Sequence, residues 1–518
     1  MQNQEHVNIN KRIAKNAAAL YLRMIISMLV GLYTSRVILQ ALGIEDYGIY
    51  NVVGGFVSMF SLISNSLQAS VQRFLTFELG KGYSQQLQVV FSTSFFVLLG
   101  LSILVIFVTE IIGLWYLQTK LVLPASRLFA AQCCFHLSLL SFALSLLCTP
   151  YVSSIISHED MNVYAYMSIL DVVFKLRICY VVMESSIDRL ICYAVLLFTV
   201  GLISQLIYWI YCRRKYPECK VSCIFDRTLF LQMFAFSGWN FIGSSAAILR
   251  SQGASLLLNA FGGPLVNAAN GIANTISSVV SSFVGNFTQA FNPQITKQYA
   301  AGQYDSLMKL VVYSSKYSYF LMLILSMPVM FNTEYILKTW LGIVPSYTVT
   351  FTRWILVMLL LDTVTRPIIT LKLANSNIRN YQIVVGGVIL LVIPLSYIGL
   401  SMGLPVTFVA VVNAFVSFLA MFVRIYMMRG DFAVWSSMLF IRKVLIVVFY
   451  VSLASSVLPF ISYYFMPYGF YNVLVTTTLS VISTVVMTLF LGCTSNERIV
   501  LLDQMRKISS SIRSVVSR

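Results

Sequence analysis

Apolar stretches long enough to cross a bilayer recur from one end of this sequence to the other. A helical span needs ~20 apolar residues. Spans are predicted near 17–40, 46–70, 89–116, 126–150, 161–183, 187–211, 229–258, 265–290, 307–331, 349–371, 380–400, 404–427, 441–465 and 469–492, fourteen in all. No connection between them is long enough for a soluble domain. The 518 residues are 58% hydrophobic and 10% charged, against roughly 25% charged in soluble proteins. That balance excludes a water-soluble fold. It also excludes a disordered or nucleic-acid-binding chain, despite a net charge of +17, because neither tolerates so much apolar surface. The expected fold class is all-α, a polytopic membrane protein. The first apolar run lacks a small-residue cleavage site, which predicts a retained span and not a signal peptide.

An even number of spans puts both termini on one side, and the basic residues of the connections say which. Arg213, Arg214, Lys215, Lys220, Arg227, Lys309, Arg442 and Lys443 lie on the side of the termini, with many others, whereas the opposite connections hold only Lys120, Arg127, Arg189 and Lys338. Positive charge is retained on the cytoplasmic side, so both termini are expected in the cytoplasm.

The chain also repeats itself. LQALG at 39–43 matches LNAFG at 258–262 with a shift of 219. Gly82 falls on Gly302 after a slip of one, and CTPYVSSIISHEDMNVY superposes on TRPIITLKLANSNIRNY with a shift of 217. The predicted organisation is a cytoplasmic tail (1–16), an N-lobe of six helices (17–212), a cytoplasmic linker (213–228), a C-lobe of six (229–428), helices 13 and 14 (441–492) and a basic cytoplasmic tail (493–518). Because six is even, both lobes enter the membrane in the same sense. They form a parallel, pseudo-symmetric repeat, a layout used by secondary transporters, with a central cavity expected at the seam.

Two predicted spans carry polar stripes at helical spacing. Span 2 has Asn51, Ser58, Asn65, Gln68 and Gln72, and span 8 has Asn267, Asn270, Asn274, Ser281, Gly285 and Asn292. Small and amide residues glue helices together in lipid; amides running the whole span also suit a wet cavity wall. Asn51, Asn65, Gln68, Asn270 and Asn274 are therefore cavity candidates.

Seven basic residues lie within or close to spans: Arg23, Arg36, Arg73, Lys175, Arg177, Arg250 and Arg366. Each would cost ~2.5–3.5 kcal/mol on a lipid-facing helix centre, so most must face protein, water or an interface. Asp171 precedes Lys175, and Asp362 precedes Arg366, by four residues. Each pair can neutralise itself along its own helix or take part in ion coupling. Arg23 and Arg250 have no carboxylate at that spacing. An excess of intramembrane cations attracts an anion, and the arginine fork suits phosphate oxygens.

The segment RMIISMLVGLYTSRVILQALGIEDYGIYNVVGGFVSMF, with QRFLTFELGKG, FSGWN at 236–240 and NPQITKQYAAG at 292–302, resembles the polysaccharide transporter (Wzx-type flippase) branch of the multidrug/oligosaccharidyl-lipid/polysaccharide exporter superfamily. The resemblance implies transfer of an undecaprenyl-pyrophosphate-linked oligosaccharide, for O-antigen or capsule assembly, across a bacterial inner membrane. It implies no enzymatic activity and no cofactor beyond a proton or cation gradient. The partners implied are the lipid-linked glycan, the bilayer, and a polysaccharide polymerase with its assembly machinery. By analogy with related lipid II flippases, Arg23, Arg73 and Arg250 are candidate substrate residues, joined by Asn240 of FSGWN.

Two alternatives compete. A drug exporter of the same superfamily would need carboxylates in its cavity for cationic drugs, and here Asp171 and Asp362 both have in-helix basic partners. A membrane glycosyltransferase or polymerase would need a general acid or base near the sugar, and His6, His136 and His158 are poorly placed for that. The nine cysteines, an odd number mostly within spans, make no disulfide scaffold. Cys212, Cys219 and Cys223 lack the histidine that would complete a zinc site.

Overall fold

A computed structural model describes residues 60–119 and 125–498, apart from 83, 343, 431, 433, 434, 468, 495 and 496, together with 16, 20–30 and scattered positions between 33 and 50. The described chain is helical throughout. In lipid every backbone amide and carbonyl must be satisfied within the protein, and a helix does this within one segment. Nine of the described helices are long and apolar enough to cross a membrane, Gln85–Trp115 and Phe470–Gly492 being the first and last. They coincide with nine of the fourteen predicted spans. Leu20–Val30 (α1) lies within the first predicted span, whereas Ser61–Lys81 (α2) begins inside the second and runs on past its end at residue 70. The apolar surface is turned outward, with Phe449 63% and Phe465 78% exposed, as a bilayer solvent requires.

The chain divides into two compact units. The first comprises Met1–Ser245, Gln289–Tyr304 and Thr370–Ile383. It contains α2, Ser84–Thr119 (α3), Leu128–Ser157 (α4), Met161–Glu184 (α5), Arg189–Lys215 (α6) and the start of Arg227–Ala300 (α7). Its core joins Phe74 and Leu75 of α2, Phe91 and Leu98 of α3, Leu146 and Ile155 of α4, and Phe236 of α7.

The second unit comprises Ala246–Thr288, Asp305–Ile369 and Val384–Arg518. It contains Tyr304–Phe331 (α8) from Asp305 onward, Thr333–Leu341 (α9), Thr348–Val364 (α10), Val392–Ser401 (α13), Phe408–Met427 (α14), Ser437–Phe440 (α15), Ile446–Phe465 (α16) and Phe470–Met487 (α17). Two shorter helices, Arg366–Ala374 (α11) and Arg379–Leu390 (α12), run from one unit into the other. Spans 13 and 14 pack as the pair α16 and α17 through a buried polar seam. Ser483 Oγ donates to the Ser455 carbonyl at 2.9 Å, and the hydroxyls of Ser462 and Thr476 lie 3.4 Å apart. Polar and small residues hold helices together where lipid removes the hydrophobic drive.

Predicted spans 7 and 8 form one helical element, α7, broken at Gly263, whose φ of 73° and ψ of −177° belong to a region only glycine occupies readily. The sequence repeat reappears in the backbone. Gly82 and Gly302 both take positive φ, 78° and 70°, just after α2 and α7. Glu159 and Ser376, equivalent at the 217 shift, are both left-handed, at 63° and 64°. Two non-glycine residues in the same rare conformation at matched positions show that these repeated segments build the same turn.

Candidate functional site

In the first unit a cavity of about 650 Å³ is walled by α4, α5 and α6, with Ser27 of α1. Tyr164, Ser168, Asp171 and Lys175 face it at intervals of four, three and four residues, one face of α5. Ser204, Gln205 and Tyr208 of α6 and Ser138 and Ser141 of α4 add further polar groups to a wall that also carries apolar residues such as Leu137, Phe142 and Leu197. Asp171 Oδ2 lies 2.7 Å from Lys175 Nζ, the in-helix pair that the spacing predicts. The Arg23 guanidinium stands 4.8 Å from the ring centre of Tyr164, a cation over an aromatic face.

The second unit holds a cluster of arginines about one carboxylate. Pro367 cannot donate a backbone hydrogen bond, and its ring clashes with the carbonyl four residues back. The chain accordingly breaks between α10 and α11 at Thr365. The break leaves Asp362 in the last turn of α10 and Arg366 at the start of α11. Asp362 lies 3.5 Å from Arg250 Nη2 of α7 and 3.5 Å from Arg424 Nη1 of α14. Arg424 also donates to Thr365 Oγ1 at 2.8 Å, and Arg250 to Ser417 Oγ at 3.2 Å. Arg366 is within electrostatic range of both Asp362 and Arg424. Its Nη1 lies 3.8 Å from where a Cβ on Gly285 would stand, so it reaches the polar stripe of span 8. The three side chains measured in the ion pairs are 9–20% exposed. Among the described residues, Arg250 and Arg424 share the Asp362 carboxylate with Arg366 nearby, which leaves a net positive centre of low exposure, where an anion is attracted more strongly than in water.

A third group of contacts lies at the turn ends of the first unit. The wholly buried Glu159 carboxylate accepts from Lys297 Nζ at 2.7 Å and Gln294 Nε2 at 2.6 Å. Arg73 Nη2 donates to the Ala374 carbonyl at 2.7 Å, satisfying one of the orphan acceptors at the end of α11. The Arg73 guanidinium also stands 4.5 Å and 4.6 Å from the rings of Phe74 and Phe77.

The remaining sequence candidates are dispersed. Asn51 lies outside the described residues. Asn65 and Asn274 are exposed, Gln68 and Asn240 half-buried, and Asn270 buried. Asn267 accepts from Ser255 Oγ at 2.6 Å, tying the two arms of α7 across the Gly263 break. His136 Nδ1 lies 2.8 Å from Glu110 Oε1. Among the described residues no cluster of His, Cys, Asp or Glu could hold a metal.

Sequence reasoning overlooked Arg424, Arg353 and Lys316, each inside a predicted span. Arg353 Nε donates to the Met330 carbonyl at 3.0 Å. The signal was available: a lone cation in an apolar helix needs a partner as much at 424 as at 250.

Residues 13–299 match the family model described as "Polysaccharide biosynthesis protein". Three solved structures show the same fold at low identity. VcmN, a MATE transporter of Vibrio cholerae, is 14% identical, with 82% of this chain and 98% of that one covered and a TM-score of 0.67. A MOP superfamily transporter from Pyrococcus furiosus, noted for the reverse polarity of its binding pocket, is 12% identical, with 80% and 94% covered and a TM-score of 0.66. An outward-facing multidrug resistance MATE family transporter is 13% identical, with 80% and 94% covered and a TM-score of 0.64. No curated protein matches the sequence.

Proposed function

Since the chain belongs to the polysaccharide biosynthesis protein family, we propose that it is a flippase for an anionic, lipid-linked oligosaccharide. The substrate proposed is an undecaprenyl-pyrophosphate-linked repeat unit, moved by alternating access across a bacterial inner membrane with both termini cytoplasmic. The observation that carries this reading is the cluster of Arg250, Arg366 and Arg424 about Asp362, whose carboxylate is the one these arginines meet among the described residues. Its excess charge suits a pyrophosphate. The hydroxyl-rich cavity of the first unit suits a glycan, because Ser, Tyr and Gln can both donate and accept towards sugar hydroxyls. Cytoplasmic accumulation of the lipid-linked intermediate on deletion of the protein in its host, with loss of the surface glycan, is the test. Unchanged surface glycan without accumulation overturns the reading.

The fold shared with MATE transporters also suits a drug exporter. A cationic drug requires an available carboxylate, whereas Asp171 is paired with Lys175 and Asp362 with two arginines. Efflux of a cationic dye that disappears in Asp171→Asn would favour that second reading.

A further inference from the structure

At the end where α8 and the helix beginning at Ser437 start and the helix ending at Gly492 stops, the second unit encloses a separate pocket of about 440 Å³. All three span ends meet there, so the pocket lies at the depth of a bilayer surface. The basic connections place this face in the cytoplasm.

The two flanking helices are both distorted. Residues 441–445 and 488–492 each form a π-helical turn, a widened turn that recurs at functional sites. The first brings Arg442 and Lys443 to the pocket and the second brings Gly492. The second turn is held by Lys316, which is buried and donates to the Gly492 carbonyl at 3.1 Å and to Glu497 Oε2 at 3.1 Å. Arg498 adds bonds to the carbonyls of Leu489 and Phe490, both at 2.9 Å.

Lys316 and Glu497 neutralise each other. What remains on the pocket wall is Lys309, Arg442 and Lys443, all exposed, against Asp305. Among the described residues none of these three cations has a carboxylate partner within 4.0 Å. The rest of the wall is largely apolar, and the neighbouring Leu439, Ile446 and Leu491 are 44–49% exposed.

We infer that this pocket binds the anionic headgroup of a bilayer phospholipid, its phosphate held by Lys309, Arg442 and Lys443 and its acyl chains along the exposed apolar face beside it. Basic pockets between spans on the cytoplasmic side select such headgroups. An arginine can hold two phosphate oxygens at once. The inference is independent of what the transporter carries.

The test uses the full chain purified in neutral detergent and titrated separately with phosphatidylglycerol, phosphatidylcholine and a polyprenyl phosphate. Bound lipid is counted by native mass spectrometry, and the unfolding midpoint is followed in parallel. Phosphatidylglycerol is expected to bind at least tenfold more tightly than phosphatidylcholine and to raise the midpoint. In Arg442→Gln/Lys443→Gln that preference falls at least fivefold, with the lipid-free midpoint unchanged because both side chains are exposed. Lys309→Gln, which leaves the π-turns untouched, is expected to weaken it in the same direction. Equal binding of the two phospholipids, or a preference unaltered in both variants, overturns the site. Tighter binding of the polyprenyl phosphate that the same variants remove overturns the assignment to a bilayer lipid.

Discussion

Arg250 of α7 meets Asp362 of α10 at 3.5 Å, far apart in sequence and both inside predicted spans. Spacing identifies Arg366 as an in-helix companion of Asp362. It cannot reveal that Arg250 and Arg424 converge on the same carboxylate from two other helices. The result is a shared anion among three cations and not an isolated neutral pair. If that excess charge holds the substrate, Arg250→Ala and Arg424→Ala each lower export at least tenfold at unchanged protein level. Export assays normalised to membrane abundance check this, and wild-type export in both variants removes the anion site.

Asp362→Asn is expected to act differently, through stability. Removing the carboxylate leaves the guanidinium groups facing one another at low exposure, at a cost on the order of 2 kcal/mol. The measurement is the thermal midpoint in detergent, which should fall in Asp362→Asn and recover partly when Arg424→Gln is added.

Glu159 holds Lys297 and Gln294 from a left-handed backbone position. In Glu159→Ala the half-buried Lys297 ammonium loses this carboxylate. Hydrogen exchange in residues 289–304 should therefore quicken while α16 and α17 stay unchanged. Exchange mass spectrometry of the purified protein reads both at once.

The turn ends of the first unit should also make it sensitive to acid. Burial would raise the Asp160 carboxyl, but hydrogen bonds from Lys215, at 2.7 Å, and Tyr216 outweigh it and hold the group below its ordinary value. Burial opposes Glu218 in the same way, and its 2.5 Å contact with His158 brings it below its ordinary value too. A carboxylate with a depressed folded pKa contributes stability that is fully present above its unfolded value, ~4. That contribution is lost as pH falls through the folded value. Stability against pH should thus fall below about pH 4, and less steeply in Asp160→Asn/Glu218→Gln.

Gly263 sits where a side chain is strained. Gly263→Ala should cost on the order of 1–3 kcal/mol and loosen the Ser255 to Asn267 bond across the break. A lowered unfolding midpoint that Asn267→Ala barely lowers further would show that the two act together.

The architecture was legible because membrane solvation writes it into composition. Nine predicted spans return as long apolar helices, and the repeat returns as matched turns at Glu159 and Ser376. The candidate site was legible only in its individual residues. Arg73, marked as a substrate candidate, is engaged by the Ala374 carbonyl and two phenylalanine rings. Asn267, part of a polar stripe, binds Ser255. Ala374 lies 301 residues from Arg73, and Ser255 reaches Asn267 only because the helix breaks at Gly263, and helical spacing registers neither.

By itself, the sequence determines that this chain is an all-helical, multi-pass membrane protein with an internal repeat and cations in its spans. The reason is that lipid penalises every exposed polar backbone group and every unpaired charge, residue by residue. Which cations share a carboxylate, which amides lock helices together and where the polar cavity opens are decided by tertiary packing alone. These are relations between helices, and a guanidinium finds its partner across space and not along the chain.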